Sequence, residues 1–270
     1  MKVSDRLIEL AAMGKMALYT DIDGTLSVMA PTPGEASAYP GAADALSLIS
    51  SRGIRVVAVS GRSSDDSAQL LGVDGIDYAG NHGFELLTRE GRVVSEDVSR
   101  AALSVQAAMN DLEHADDQLP AGVLIENKVY TASIHYRLVD DTDAAAISIR
   151  RLLETIAERH GIVVTGGRMV FELRPRLDIN KGVFVTNDIR LHGIRTAVFL
   201  GDDLTDADGF LAIHRLVDSG ELLAAAAIAV RALESPEIIL READLLVDGV
   251  PGMVAELSDF ATELKEWSAS

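Results

Sequence analysis

The chain has 270 residues, a formal net charge of −18, 48% hydrophobic residues and no cysteine. That length suits one large α/β domain or a core with a smaller insert. The missing cysteines exclude disulfides, thiolate nucleophiles and cysteine-ligated zinc, and the negative charge argues against nucleic acid or an anionic membrane as partner.

No segment approaches the roughly 18 consecutive apolar residues that a transmembrane helix needs. The N-terminus mixes Asp5 and Glu9 with its apolar residues and lacks the basic start of a secretion signal. A cytoplasmic location is the expectation, in keeping with the cysteine count. A phosphorylated substrate would be repelled by so acidic a chain, so binding one requires a metal and a few placed Lys or Arg residues to reverse the sign locally.

In chain order, Met16 to Thr20 is a short apolar run that ends at acidic residues. A Pro/Gly-containing stretch from Pro31 to Gly41 precedes helical periodicity from Ala42 to Ser50, and Ile54 to Val59 is a β-branched, apolar central strand. Ser63 caps the next helix, with Asp66 three residues on as in a capping box. From about Glu85 the texture changes. Two strand-like pieces flank Gly91, and Asp97 to Asp117 reads as a polar helix. Val123 to Glu126 and Tyr130 to Arg137 pair across Asn127-Lys128, Thr142 to His160 is amphipathic, and Ile162 to Thr165 pairs with Met169 to Leu173. The core resumes near Asp178 with a helix, then the strand Thr196 to Leu200, an acidic cluster, and a buried strand within Leu222 to Val230. Alternating strands and helices predict a doubly wound, mainly parallel sheet, residues 1–84 and 178–270, with an α/β insert over 85–177.

Asp21 and Asp23 stand at the C-terminal end of the first strand, where open α/β sheets place their ligands. Two carboxylates so close repel each other, and a hard cation such as magnesium relieves that. Gly24 and Thr25 allow a tight turn that presents amides to an anion. An acidic surface turn has the same composition.

Gly201-Asp202-Asp203-Leu204-Thr205-Asp206 follows another apolar strand and supplies the second half of such a site. A calcium loop through Asp206 and Asp208 fails, because Leu204 and Arg215 would occupy ligand positions. Asp208 suits a helix cap. Ser60-Gly61-Arg62 offers a hydroxyl at a strand end, and Asn180-Lys181-Gly182 offers one positive charge at a helix start. Each has a bland alternative as a turn or a solvated lysine. Nucleotide phosphate loops, a dinucleotide fingerprint, a serine nucleophile elbow and metalloprotease histidine spacing are all absent from the sequence.

Taken in order, Asp-x-Asp-Gly-Thr, Ser60, Lys181 and Gly-Asp-Asp-x-x-Asp resemble the haloacid dehalogenase superfamily of phosphohydrolases. Asn81-His82-Gly83-Phe84-Glu85, Glu126-Asn127-Lys128, His135-Tyr136-Arg137, Glu172-Leu173-Arg174-Pro175 and Gly201 to Phe210 look like trehalose-6-phosphate phosphatases. Ile22 and Ala207 depart from that pattern at positions away from the chemistry. The resemblance implies a Rossmann-like core and an inserted cap that closes over the sheet edge. It implies Asp21 as nucleophile, Asp23 as general acid/base, and Lys181 beside the phosphate. Magnesium would be held by Asp21, Asp23 through its carbonyl, and Asp202, with Asp203 and Asp206 as further ligands or support. Ser60, with Lys181 and help from Thr25, would bind the phosphoryl group, Gly61, Arg62 and His82 would contact the substrate, and Glu126, Lys128, His135, Glu172 and Arg174 would hold the sugar. A sugar phosphate is the expected small-molecule partner. Glucosyl- or mannosyl-3-phosphoglycerate and sucrose phosphate are alternative substrates. A phosphosugar mutase and a non-catalytic binding module are alternatives of other classes.

Overall fold

The computed structural model describes residues 2–30, 32–167, 169–233 and 235–267; Pro31, at the head of the Pro/Gly-containing stretch, lies outside them. The chain divides into two compact units, residues 1–93 with 179–270 and residues 94–178.

The larger unit is built on β1 (Met16–Thr20), β2 (Arg55–Val59), β3 (Asp77–Gly80), β4 (Glu85–Thr88), β5 (Gly91–Val93), β10 (Thr196–Gly201), β11 (Ala224–Arg231) and β12 (Leu245–Asp248). Their order is β12-β11-β10-β1-β2-β3-β4-β5, parallel from β12 to β3 and antiparallel thereafter. All five residues of β1 are buried, as a parallel strand covered on both faces requires.

Strand alternation sorts the apolar residues into two cores. Leu18, Val56, Val198 and Ile228 face one way, towards α1 (Val3–Ala12), α2 (Ala42–Ser51) and α9 (Gly249–Trp267). Tyr19, Val57, Phe199 and Ala227 face the other, towards α6 (Lys181–His192), α7 (Ala207–Asp218) and α8 (Glu237–Glu242). That is a doubly wound α/β sheet. The short α3 (Ser64–Leu71) starts at Ser63, whose hydroxyl accepts the amide of Asp66, as its sequence predicts.

Helix α6 carries charged residues on its inward face. Lys181, Val185 and Asp188 lie four and three residues apart, and all are buried, so a lysine and an aspartate occupy places where core leucines are usual. Asp188 answers for its burial by accepting from the Tyr19 hydroxyl at 2.8 Å and from two Arg55 nitrogens at 2.7 Å each. The same contacts tie α6 to β1 and β2.

The smaller unit is an antiparallel sheet of β6 (Leu124–Asn127), β7 (Ala132–His135), β8 (Val163–Gly167) and β9 (Val170–Arg174), in the order β6-β7-β9-β8. Ala132, Ile134, Phe171 and Leu173 on one face bury against Val105, Met109 and Leu112 of α4 (Glu96–Glu113) and Ile149, Leu153 and Ile156 of α5 (Thr142–His160). The opposite face carries Glu126, Ser133, His135, Glu172 and Arg174, together with Leu124 and Val170.

Three local expectations change. The pieces around Gly91 pair onto the larger sheet through Tyr78↔Leu87 and Leu87↔Arg92, so the compact units divide at 93/94, beyond the boundary expected at 84/85. The strand expected over Tyr130 to Arg137 shortens to Ala132–His135, because Tyr130 donates back to Lys128 in a turn and Val139 to Tyr136 in another. Asp208 sits inside the first turn of α7 instead of capping it. No helix among the described residues is long and apolar enough to cross a membrane.

Candidate active site

β1, β2 and β10 are parallel neighbours, so the residues that follow them converge on one carboxyl edge of the sheet. Asp21 follows β1 and donates its amide to the Leu200 carbonyl of β10 at 2.8 Å. Ser60 follows β2, and Asp202 follows β10. Lys181 enters at the start of α6, which Asn180 caps by accepting the amide of Val183.

The centre of the site is a buried ammonium between two carboxylates. Lys181 Nζ donates to Asp21 Oδ1 at 2.6 Å and to Asp206 Oδ1 at 2.7 Å. Asp206 is fully buried, and its second oxygen accepts the amides of Asp202 and Asp203 at 3.0 Å each. Both of its oxygens are therefore committed inside the protein. Burial works against the charge on Lys181, but Asp206 and Asp21 outweigh it and raise its pKa. The lysine is a permanent cation.

Asp21, Asp202 and Asp206 bring carboxylate oxygens within 4.8 Å of one another. Burial pushes the pKa of Asp21 up, Asp206 and Asp23 add to that, and Lys181 opposes it, leaving it at about 8. Asp202 is pushed up to about 9 by burial and by repulsion from Asp21, Asp206 and Asp203, against a hydrogen bond from Thr25. The cluster thus holds more negative charge than one lysine balances, which is the donor set a hard divalent cation fits. Asp21 and Asp202 could hold such an ion, while Asp206 binds lysine and loop.

The other acidic residues point elsewhere. Asp23 is clasped by Arg62, with Nε to Oδ2 at 2.6 Å and a terminal nitrogen to Oδ1 at 2.8 Å. In the short turn Leu204–Asp206, the Asp203 backbone carbonyl accepts the Asp206 amide at 2.9 Å. Thr25 donates to Asp202 Oδ1 at 3.1 Å. The amides of Gly24 and Thr25, expected to face an anion, donate instead to the carbonyls of Ser27 and Ile22 within the turn. Gly24 is required on two counts: its φ is +86°, and a Cβ there would lie 2.1 Å from Asp202 Oδ2.

The Ser60 loop is held by the segment after β3. His82 donates its amide to the Ser60 carbonyl at 2.8 Å, and Asn81 to the Arg62 carbonyl at 2.7 Å. A Cβ at Gly61 would fall 2.8 Å from the His82 ring. Asn81 and His82 both have positive φ. Glu85, buried on β4, stabilises this geometry by accepting the Asn81 side-chain amide at 2.8 Å and the Ser64 amide at 3.0 Å, with Arg92 on its other oxygen. In the sequence, Glu85 has no role beyond its place in a motif. A glutamate in an apolar strand was the available signal.

In the smaller unit, register aligns Glu126, Ser133 and Glu172 across three strands. His135 and Arg174 lie two residues along β7 and β9 on the same face. His135 Nε2 is 3.2 Å from Glu126, and Lys128 Nζ is 3.7 Å from both Glu126 and Glu172. Ser133 donates to Glu172 at 3.3 Å. Lys128 lies in the β6–β7 turn next to Val129, a β-branched residue at φ +70°. Such a conformation costs roughly 1–3 kcal/mol and persists only where neighbours impose it.

The trehalose-phosphatase family model matches residues 19–232, from the first strand through β11. The chain belongs to that family. A trehalose-phosphate phosphatase of Mycobacterium bovis is 35% identical over 246 residues, covering 85% of this chain and 61% of that protein. The chain therefore spans about three-fifths of that relative's length. Among solved structures, a trehalose-6-phosphate phosphatase related protein aligns with TM-score 0.77 at 24% identity, over 93% of this chain and 99% of the other. The C-terminal domain of a Candida albicans trehalose-6-phosphate phosphatase aligns with TM-score 0.76 at 20% identity, over 96% and 97%. The two structural matches establish a shared fold for this member of the family.

Proposed function

We propose that this protein hydrolyses trehalose 6-phosphate to trehalose and phosphate through an aspartyl-phosphate. The observation that carries the chemistry is Lys181 bound at once to Asp21 and Asp206, with Asp202 in the same cluster. It supports a fixed carboxylate nucleophile beside a permanent cation. The family match supports the substrate.

In the first half-reaction an Asp21 oxygen bonds to phosphorus and the ester bond to the sugar breaks. Asp23 gives its proton to the departing sugar oxygen. Arg62, which clasps Asp23 at rest, moves onto the phosphoryl oxygens as Asp23 turns to the leaving group. In the second half-reaction a water oxygen bonds to phosphorus, its proton passes to Asp23, and the bond to Asp21 breaks. Ser60 and Lys181 hold phosphoryl oxygens throughout, with Gly61 and His82 shaping the loop and Thr25 steadying Asp202. Magnesium is the cation of choice for Asp21, Asp202 and the Asp23 carbonyl, and it supplies charge neutralisation at the phosphoryl group.

The smaller unit serves specificity. Glu126, Lys128, His135, Glu172 and Arg174 offer charged hydrogen-bonding groups to sugar hydroxyls, and such groups strongly disfavour a ligand that leaves them unpaired. The partner is thus a small sugar phosphate, and the setting is cytoplasmic.

Phosphate release with magnesium, measured across trehalose 6-phosphate, sucrose 6-phosphate and glucosyl-3-phosphoglycerate, tests this reading. Preference for the first is the expected result. Preference for either other substrate overturns the substrate assignment, and release unaffected by Asp21→Asn overturns the mechanism.

A further inference from the structure

We infer that Gln106, on α4, is a positioning residue that sets the place of Lys128 and so the affinity for the sugar. This rests on the proposed sugar-binding role of Lys128.

The β6–β7 turn runs from Lys128 to Thr131 and contains no glycine. Its Val129 is nevertheless left-handed, at φ +70°. The backbone closes the turn, Tyr130 donating to the Lys128 carbonyl at 2.8 Å and Lys128 to the Thr131 carbonyl at 2.9 Å, and side chains help to hold a valine where a glycine would sit freely. Gln106 Nε2 donates to Asn127 Oδ1 at 3.1 Å and to the Val129 carbonyl at 2.7 Å. Its Oε1 accepts Asn127 Nδ2 at 3.0 Å. Asn127 Oδ1 in turn accepts the Val129 amide at 3.0 Å. The result is a closed amide ring that grips the residues on both sides of Lys128.

The bonds in this ring are exposed, and hydrogen bonds of that kind add little to overall stability. Their effect is local. They hold a β-branched residue where it does not rest unaided, and the chain direction at Val129 fixes the stem of Lys128. Lys128 Nζ then sits 3.7 Å from Glu126 and from Glu172, between the two carboxylates of the polar row. Without Gln106, Val129 relaxes to an extended conformation and carries the lysine off that row.

Steady-state kinetics of the full chain on trehalose 6-phosphate and on p-nitrophenyl phosphate test the inference, with wild type, Lys128→Ala, Gln106→Ala and Gln106→Ala/Val129→Asn. Gln106→Ala is expected to raise KM for trehalose 6-phosphate about five- to tenfold, with kcat and the small-ester activity unchanged. Val129→Asn is expected to restore KM to within about twofold, because asparagine accepts the left-handed region that valine resists. A merely structural role would lower activity on both esters alike, and that result overturns the inference. So does a wild-type KM in Gln106→Ala, or a raised KM that Val129→Asn leaves in place. If Lys128→Ala raises KM and Gln106→Ala does not, only the positioning role falls. If the wild type releases no phosphate from trehalose 6-phosphate, the substrate reading falls and takes this one with it.

Discussion

The acidic centre of the larger unit and the polar row of the smaller one both set lysine among carboxylates, yet they are built to different tolerances. Lys181 is 2% exposed and meets its partners at 2.6 and 2.7 Å. Lys128, also buried, lies 3.7 Å from Glu126 and Glu172, and Glu126 opposite it has 28% of its side chain exposed. At the centre each oxygen of Asp206 is committed, and moving one group leaves a buried charge unpaired. In the row, the lysine lies farther from its carboxylates. Chemistry at phosphorus requires fixed geometry, whereas sugar recognition exchanges one set of hydrogen bonds for another. On the proposed function, the smaller unit tunes affinity and the larger unit sets rate.

The sharpest test of that contrast is Asp21→Asn, which should cost at least about a thousandfold in kcat on every ester while leaving circular dichroism unchanged. Lys181→Met should follow, losing about a hundredfold in kcat. It should also lower unfolding free energy by roughly 3–5 kcal/mol in denaturant titration, because Asp206 is left buried without its cation. Glu172→Gln should raise KM for trehalose 6-phosphate about tenfold and leave p-nitrophenyl phosphate hydrolysis nearly untouched. Equal losses on both esters would erase the distinction between the two regions.

The smallest effect concerns pH. The unfolded chain ionises its aspartates near 4, whereas Asp21 and Asp202 are pushed up to about 8 and about 9 in the cation-free fold. The folded protein holds those protons more tightly than the unfolded chain, so this contribution to stability is full below about pH 4 and is lost as pH rises to about 9. Magnesium competes with the same protons. It should raise Tm more at about pH 8.5 than at about pH 6, and an equal shift at both values would detach the cation from Asp21 and Asp202.

Much of this was legible in the sequence. Apolar runs ending at Asp21, Ser60 and Asp202 gave three strand ends, and Asn180-Lys181 gave a helix start, all from local chemistry. Ser63 with Asp66 gave a cap that the structure contains. Glu126 and Glu172 were marked only by the resemblance of their motifs, and the pairing of their strands is what sets them in one row. The placement of residues 85–93 was not legible, because β4 is a strand by composition and only its pairing with β3 assigns it to the larger sheet. Nor was the partner of Asp23: Arg62 reads equally well as a phosphate ligand until the clasp is seen.

The sequence by itself thus marked the residues proposed to carry chemistry and determined the order in which the strands deliver them. Tertiary structure alone decided their division of labour. It committed Asp206 to Lys181 and two amides, clasped Asp23 with Arg62, and braced Lys128 through Gln106. The reason is range. Periodicity and turn chemistry act over a few residues, whereas Lys181 finds Asp21 across 160 residues of chain, and no local pattern encodes such a partner.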